Sequence, residues 1–375
     1  MVRLPNYQVI VTNPQNGDIS LILPLVESFG LKFERAINRI TSFALTLPYK
    51  SEYDTIFRLD AIVDIYRSDP DGTMQNEGSF LTRMTEKMEN ENDKRIIVSG
   101  YHANHLLKRR YIDPDDDSVQ PNGGYATKAG NGGDVIRAYI REQAGDLSSS
   151  NRQTLGLTVP TPTDQGNGVG GNFRYENLWT EMVKLAETAD IEIEVRHQGN
   201  RQWRCFIGSL GSDRSVAGNL NGAPPYSFAI FDPKLGNLAE PRLVSDRRNE
   251  ISLVRVQGGG ARNNRINIEL QSANLNDSVY NRIEATADAR AVDDTDAYTL
   301  YLNGVKFLIE NREIIEFESE PILTSGGAIY RRNFEFGDRI TAQWDNFSQT
   351  LRVASLEFTV TDEDEKLLLG LENER

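Results

Sequence analysis

Apolar residues in this chain fall in strand-length runs, and almost every run is closed by Gly, Asn, Asp or Pro. Val9 to Val11 form one run, Ile19 to Leu23 another, Ile62 to Tyr66 a third and Ile96 to Val98 a fourth. Runs this short, rich in Val, Ile and Thr, suit a pleated, half-buried surface and cannot lay down the long stripe of an amphipathic helix. The 30 glycines supply turns between them. Wherever the pattern lasts, the chain is held to antiparallel β-structure.

The pattern lasts through the first hundred or so residues. Strands over 7–13 and 18–23 flank Asn16 and Gly17, the dipeptide best suited to a type I′ turn. Further strands are expected over 36–47, 59–67, 80–88 and 95–99, with an acidic turn at 89–93, which together predict a small barrel. The middle changes character. It reads as a short helix over 102–108, a polar stretch over 113–133 and a helix whose N-cap is Asp134, with Val135, Ile136, Tyr139 and Ile140 on one face. A long loop over 148–171, a helix over 175–188 and strands over 191–196 and 202–207 complete an α+β insertion. The β pattern returns at 251–256, 266–270, 314–318, 338–344, 351–359 and 366–371. Residues 297–311 fit either a hairpin at Asn303 and Gly304 or a helix capped near Asp294 to Asp296, and the helix is favoured. Three regions follow: 1–101, 102–236, and 237–375 with an accessory helix around 295–311.

One order of elements recurs. The segment from Asp60 to Tyr66 precedes a strand, an acidic turn and Ile96 to Val98; Asp338 to Trp344 precedes a strand, an acidic turn at 362–366 and Leu367 to Leu369. A degenerate duplication would produce this, and so would chance in any antiparallel protein.

Chemistry is sparse. One cysteine, Cys205, excludes an intrachain disulfide and a cysteine-built metal site, and its neighbours Trp203 and Phe206 suggest a buried, inert thiol. His102 and His105 stand three apart but lack a third ligand. Asp113 to Asp117 imitates the start of a calcium loop, yet Ser118 stands where the turn needs Gly and Gly124 where the closing Glu belongs. The glycines from Gly166 to Gly171 lack the strand and the Gly-Lys-Ser/Thr of a phosphate cradle. No catalytic, metal or cofactor residue is therefore assigned. The net charge of -14 opposes nucleic-acid binding by the chain as a whole. No apolar run approaches the ~18 residues of a bilayer span, and the first residues lack a signal peptide's apolar core. A protein folded in the cytoplasm, with no stable membrane association, is expected.

Several segments resemble the phage tail hub family, found at the lower end of the tail tube of siphophages and in simple contractile baseplates. They are 40–48, 62–67, 78–83, 101–112 and 133–140 near the start, and 282–290, 317–322 and 330–338 near the end. They keep the family's order over nearly the whole chain; the loops at 113–128 and 147–171 match nothing in it. The resemblance implies a mainly β fold with α+β insertions, two tube-type β-barrel domains and smaller accessory domains. It implies a homotrimer whose paired barrels form a pseudo-hexameric ring in the virion tail, without enzymatic activity. The expected partners are the tail tube or distal tail protein above, a spike or tip fibre protein below, a tape measure protein, and genome DNA in transit through the channel. Candidate tube-wall strands are marked by Asp60, Ile62, Asp64 and Tyr66, and by Asp338, Ile340, Ala342 and Trp344. The alternatives are a tail-tip enzyme cutting cell wall or polysaccharide, and a receptor-binding module.

Overall fold

A computed structural model of the chain describes residues 5–24, 30–90, 93–116, 124–216, 229–260, 265–290, 296–322, 329–361 and 364–373. Parts of the sequence reading lie outside them: 117–123 of the acidic loop, the turn at 261–264, Asp294 and Thr295 of the proposed cap, and 362–363 of the second acidic turn.

The first module holds β1 (Tyr7–Thr12), β2 (Ile19–Pro24), β3 (Gly30–Ala36), β4 (Ser42–Pro48), the short helix α1 (Tyr53–Ile56), β5 (Ile62–Ser68), β6 (Met74–Asn90) and β7 (Asp93–His102). An α+β module follows with α2 (His105–Lys108), β8 (Ala126–Asn131), α3 (Gly132–Gln143), β9 (Leu157–Thr158), β10 (Gly168–Phe173), α4 (Leu178–Ala189), β11 (Glu192–His197) and β12 (Trp203–Gly208). The last part comprises β13 (Ile230–Phe231), β14 (Leu238–Asp246), β15 (Leu253–Gln257), β16 (Asn267–Gln271), β17 (Glu284–Asp288), α5 (Ala297–Glu310), β18 (Ile314–Pro321), β19 (Arg339–Trp344), β20 (Phe347–Val360) and β21 (Glu365–Asn373). The protein is mainly β, as the sequence predicts.

The recurrence seen in sequence is a repeated strand order. One sheet runs β14-β18-β21-β20-β3-β4-β7-β6-β5-β1-β2, and β19 adds to β20 beside that path. Within it, β3-β4-β7-β6-β5 and β14-β18-β21-β20-β19 are the same antiparallel arrangement twice. Each copy carries a β-bulge at the same place, between Thr82 and Met84 on β6 and between Val353 and Ser355 on β20. Aligning the bulges through the ladders sets Val63 and Ile65 over Ile340 and Ala342, and Phe43 over Phe317. This is one residue away from the alignment that sets Asp60 over Asp338. Neither copy closes on itself as a barrel among the described residues; the hydrogen-bonded path stays open.

The two copies meet at a seam. The second half of β20, from Ser355 to Val360, pairs antiparallel with β3. Phe33 and Phe358 lie opposite each other there, with rings stacked 4.6 Å apart. A single apolar core continues through both copies, from Val9, Phe43 and Val98 to Ile340, Val353 and Leu369. The middle module has its own core, in which Ile136 and Tyr139 of α3 face Met182 and Leu185 of α4. A third, small core lies under α5, where Leu300 packs on Val254 and Val256.

Several local expectations change. The first hairpin forms, but only Gly17 takes positive φ; the Asn16 side chain instead accepts from the Asp18 amide, so the turn is wider than type I′. The span 36–47 is not one strand: β3 ends at Ala36, a turn follows in which Asn38 is left-handed, and β4 begins at Ser42. Asn131 caps α3, and Asp134 sits inside its first turn. The span 148–171 is not all loop: β10 begins at Gly168 and pairs with β8. Its glycines mark close packing against α5, since a Cβ on Gly168 would lie 2.6 Å from the Tyr298 hydroxyl. The helix favoured over 297–311 is α5, and the Asp296 carboxylate caps it by accepting from the Thr299 amide at 2.9 Å.

Candidate subunit interface

The eight residues marked on the two candidate strands occupy different surroundings. β5 alternates, with Val63 and Ile65 in the shared core while Ile62 packs into the middle module's core. Asp64 is buried; it accepts from Ser79 Oγ at 2.6 Å and lies 2.8 Å from His197 Nδ1. Tyr66 lines a polar cavity of about 380 Å³ between the modules. Asp60, at the left-handed residue before β5, bridges Arg83 and Arg109. Burial raises its carboxyl, but Arg109 and Arg83 outweigh burial and leave it below the usual carboxylate range. On the other strand Ile340 and Ala342 are core residues, and Trp344 packs at the core edge. Asp338 is buried, pairs with Arg214 Nε at 2.8 Å and accepts from the Ser212 and Glu335 amides. Burial raises its carboxyl above the usual range. Both hydrogen-bonding edges of β5 are taken by β1 and β6, and β19 lies between β13 and β20.

Ser79, Asp64 and His197 include the residue types of a hydrolase triad in the wrong order. The carboxylate stands between the serine and the histidine, so no imidazole is placed to take the Ser79 proton. The trio ties β5, β6 and β11 together. His102 is buried beside Glu194; burial holds its imidazole down at about 4, so it stays neutral. His105 stacks on Tyr101. Burial pushes the Cys205 thiol up to about 12. Among the described residues no group of His, Cys, Asp and Glu is arranged to hold a metal, and no helix is long and apolar enough to cross a membrane.

Sequence reading missed the buried ionic cluster that joins the modules. Glu77 on β6 is fully buried and accepts from Arg35 on β3, Arg331 and the Tyr330 hydroxyl at 3.0, 3.0 and 2.8 Å. Burial alone would raise its carboxyl; Arg35 and Arg331 together hold it below the usual range. Arg67 on β5 makes two hydrogen bonds to Glu365 on β21, whose Oε1 also accepts from the Tyr7 hydroxyl. Arg352 on β20 pairs with Glu192 on β11. Charges at core positions survive only when paired, so each pair pins two modules in one register. Alternation gave no signal for them: Glu77 lies three residues before Phe80 and Glu192 directly before Ile193, so each stands on the opposite phase from that core residue.

Among the described residues the large sheet has open edges at β6, at β14 and at β2, which pairs only with β1. Beyond Thr82, β6 runs on to Asn90 paired only with β7; residues 83–89 are exposed, Met84 by 51% and Met88 by 44%. At the end of the sheet path β14 pairs only with β18. Unpaired edges of this length invite another strand.

The family model described as "Siphovirus ReqiPepy6 Gp37-like protein" matches residues 16–369. No curated protein sequence matches the chain. Solved structures that share its fold include three tail proteins. The 43 kDa tail protein of prophage MuSo2 from Shewanella oneidensis is 11% identical, with a TM-score of 0.59 over 98% of both chains. The tail protein from Neisseria meningitidis MC58 is 12% identical, with a TM-score of 0.56 over 98% of this chain and 96% of its own. The prophage tail protein gp18 from Listeria monocytogenes EGD-e is 10% identical, with a TM-score of 0.54 over 98% and 94%. With a family model that matches almost all of its length, the chain belongs to the Siphovirus ReqiPepy6 Gp37-like proteins.

Proposed function

We propose that this tail protein is the structural hub of the tail: three copies form a ring that joins the tube to the tip. The observation that carries the reading is the strand order present twice in one chain. Three chains with two like units each make six similar positions, which suit a six-fold tube on one face. The other face stays three-fold, as a spike or tip fibre needs, and no separate adaptor is required. In this reading β5 and β19 are the equivalent wall strands, and the regions 1–101, 102–236 and 237–375 act as first barrel, accessory domain and second barrel. The ring encloses a channel for genome DNA and the tape measure protein. Its place is the virion tail, after assembly in the host cytoplasm, and its role is mechanical. The buried ionic cluster supports that role, because paired charges at module junctions resist sliding.

The test is the native mass of the purified chain by light scattering, followed by electron microscopy. A mass of three times 42.2 kDa with ring-shaped particles is expected. A stable monomer or dimer at every concentration reached, with no rings, would sink the trimeric hub.

A further inference from the structure

Two of the open edges, those of β6 and β14, are equivalents of the two strands that form the seam. Alignment on the bulges places Met84 to Met88 of β6 where Ser355 to Thr359 stand on β20. The β4 and β18 ladders place Arg242 and Leu243 of β14 where Lys32 and Phe33 stand on β3. Inside the chain the second half of β20 is satisfied by β3. The matching half of β6 and the matching strand β14 have no such partner among the described residues.

We infer that β6 of one copy pairs with β14 of the next, reproducing the seam between chains. The occupant of each edge is therefore a second copy of this chain. This rests on the ring reading above and gives it a register. Carrying over the seam ladder sets Met84 opposite Asp246, Glu86 opposite Val244, Lys87 opposite Leu243 and Met88 opposite Arg242. The contact is head-to-tail, which closes into a ring or runs on as a filament according to its rotation.

Charge supports the same register. Across the seam Lys32 Nζ reaches Glu357 at 2.6 Å, two residues along from its direct partner Thr359. Their equivalents are Arg242 and Glu86, again a cation and a carboxylate. In the single chain Arg242 rests on Glu318 at 2.7 Å with 63% of its side chain exposed, and Glu86 is exposed. The aromatic stack of Phe33 on Phe358 becomes Leu243 against the stem of Lys87, whose ammonium is held by Asp54 at 2.6 Å. The joint between chains thus keeps the ladder and the ion pair but loses the stack. It is the weaker and more salt-sensitive of the two. Past Arg242 the ladder stops, because Glu240 is left-handed and Pro241 offers no amide proton.

The experiment is cysteine pairing in the full-length chain, in a Cys205→Ser background. Glu86→Cys with Val244→Cys in one chain should give a covalent trimer under mild oxidation, in a large fraction of the protein. Met84→Cys with Leu243→Cys, out of register, should give little. Glu86→Arg and Arg242→Glu should each reduce the trimer several-fold, and combining them should restore it. A trimer by mass with no in-register cross-link and no charge-swap rescue would overturn this pairing while leaving the ring. A chain that stays monomeric and yields no cross-link at any concentration would overturn both. Cross-linked ladders that grow without closing would keep the pairing and overturn the ring.

Discussion

At the scale of single residues, the informative ones are polar groups held where the core is dry. His102 has its ring buried against Phe80 and near Arg35 and Glu194, and accepts from the Asn104 amide at 3.3 Å. Burial lowers its pKa from 6.5 to about 4. The unfolded chain takes up this proton first as pH falls, so the contribution is whole above pH 6.5 and lost on the way down to about 4. Over that window the loss is about 3 kcal/mol. His102→Gln should flatten that slope, read as the change in urea midpoint between neutral pH and about pH 4.5; an unchanged slope would refute the assignment to His102. None of this was legible from sequence, where His102 was half of a weak metal pattern. A histidine's neighbours come from strands far apart in the chain, here β3, β6 and β11. Cys205 was easier, because Trp203 and Phe206 stand beside it on its own strand.

At the scale of elements, periodicity was a good guide to what exists and a poor guide to ends and turns. α4 and α5 stand out in sequence because their apolar faces are periodic, and Asn177 and Asp296 cap them through side-chain oxygens. β10 was hidden because glycine usually marks a loop, whereas here it admits α5 at close range. The β6 bulge was hidden too, since an extra residue in a ladder leaves no mark on alternation. It has a steric signature in Gly100 on β7: a Cβ there would lie 1.9 Å from the Leu81 carbonyl oxygen. That atom belongs to the backbone and cannot swing away. Gly100→Ala is therefore expected to destabilise the first module by about 3 kcal/mol, seen as a melting point several degrees lower. A wild-type melting curve would show that the strand relaxes freely at this point.

At the scale of the molecule, the seam makes one folding unit of two repeats. Phe358 fills the shared core from one repeat and stacks on Phe33 of the other. Phe358→Ala should cost about 3–5 kcal/mol and weaken the coupling between the halves. In wild type, tyrosine fluorescence and far-ultraviolet circular dichroism should unfold together; in the variant the two transitions should separate. Coincident transitions in both proteins would mean the seam is not what couples them. The order of elements in the repeat was readable from the acidic turns and the strands beside them. The join between the repeats was not, because the pairing of β3 with β20 spans most of the chain and neither strand names its partner.

The seam also bears on inheritance. With both repeats on one polypeptide, every ribosome that finishes the chain delivers them in equal number, and no balance of expression has to be kept between them. Each repeat is then free to drift, provided the join holds. The two joints would differ accordingly: Phe33 faces an aromatic ring, whereas in the proposed joint its counterpart Leu243 meets only the stem of Lys87. Under the proposed pairing, the joint within the chain is permanent and the joint between chains is the one made last.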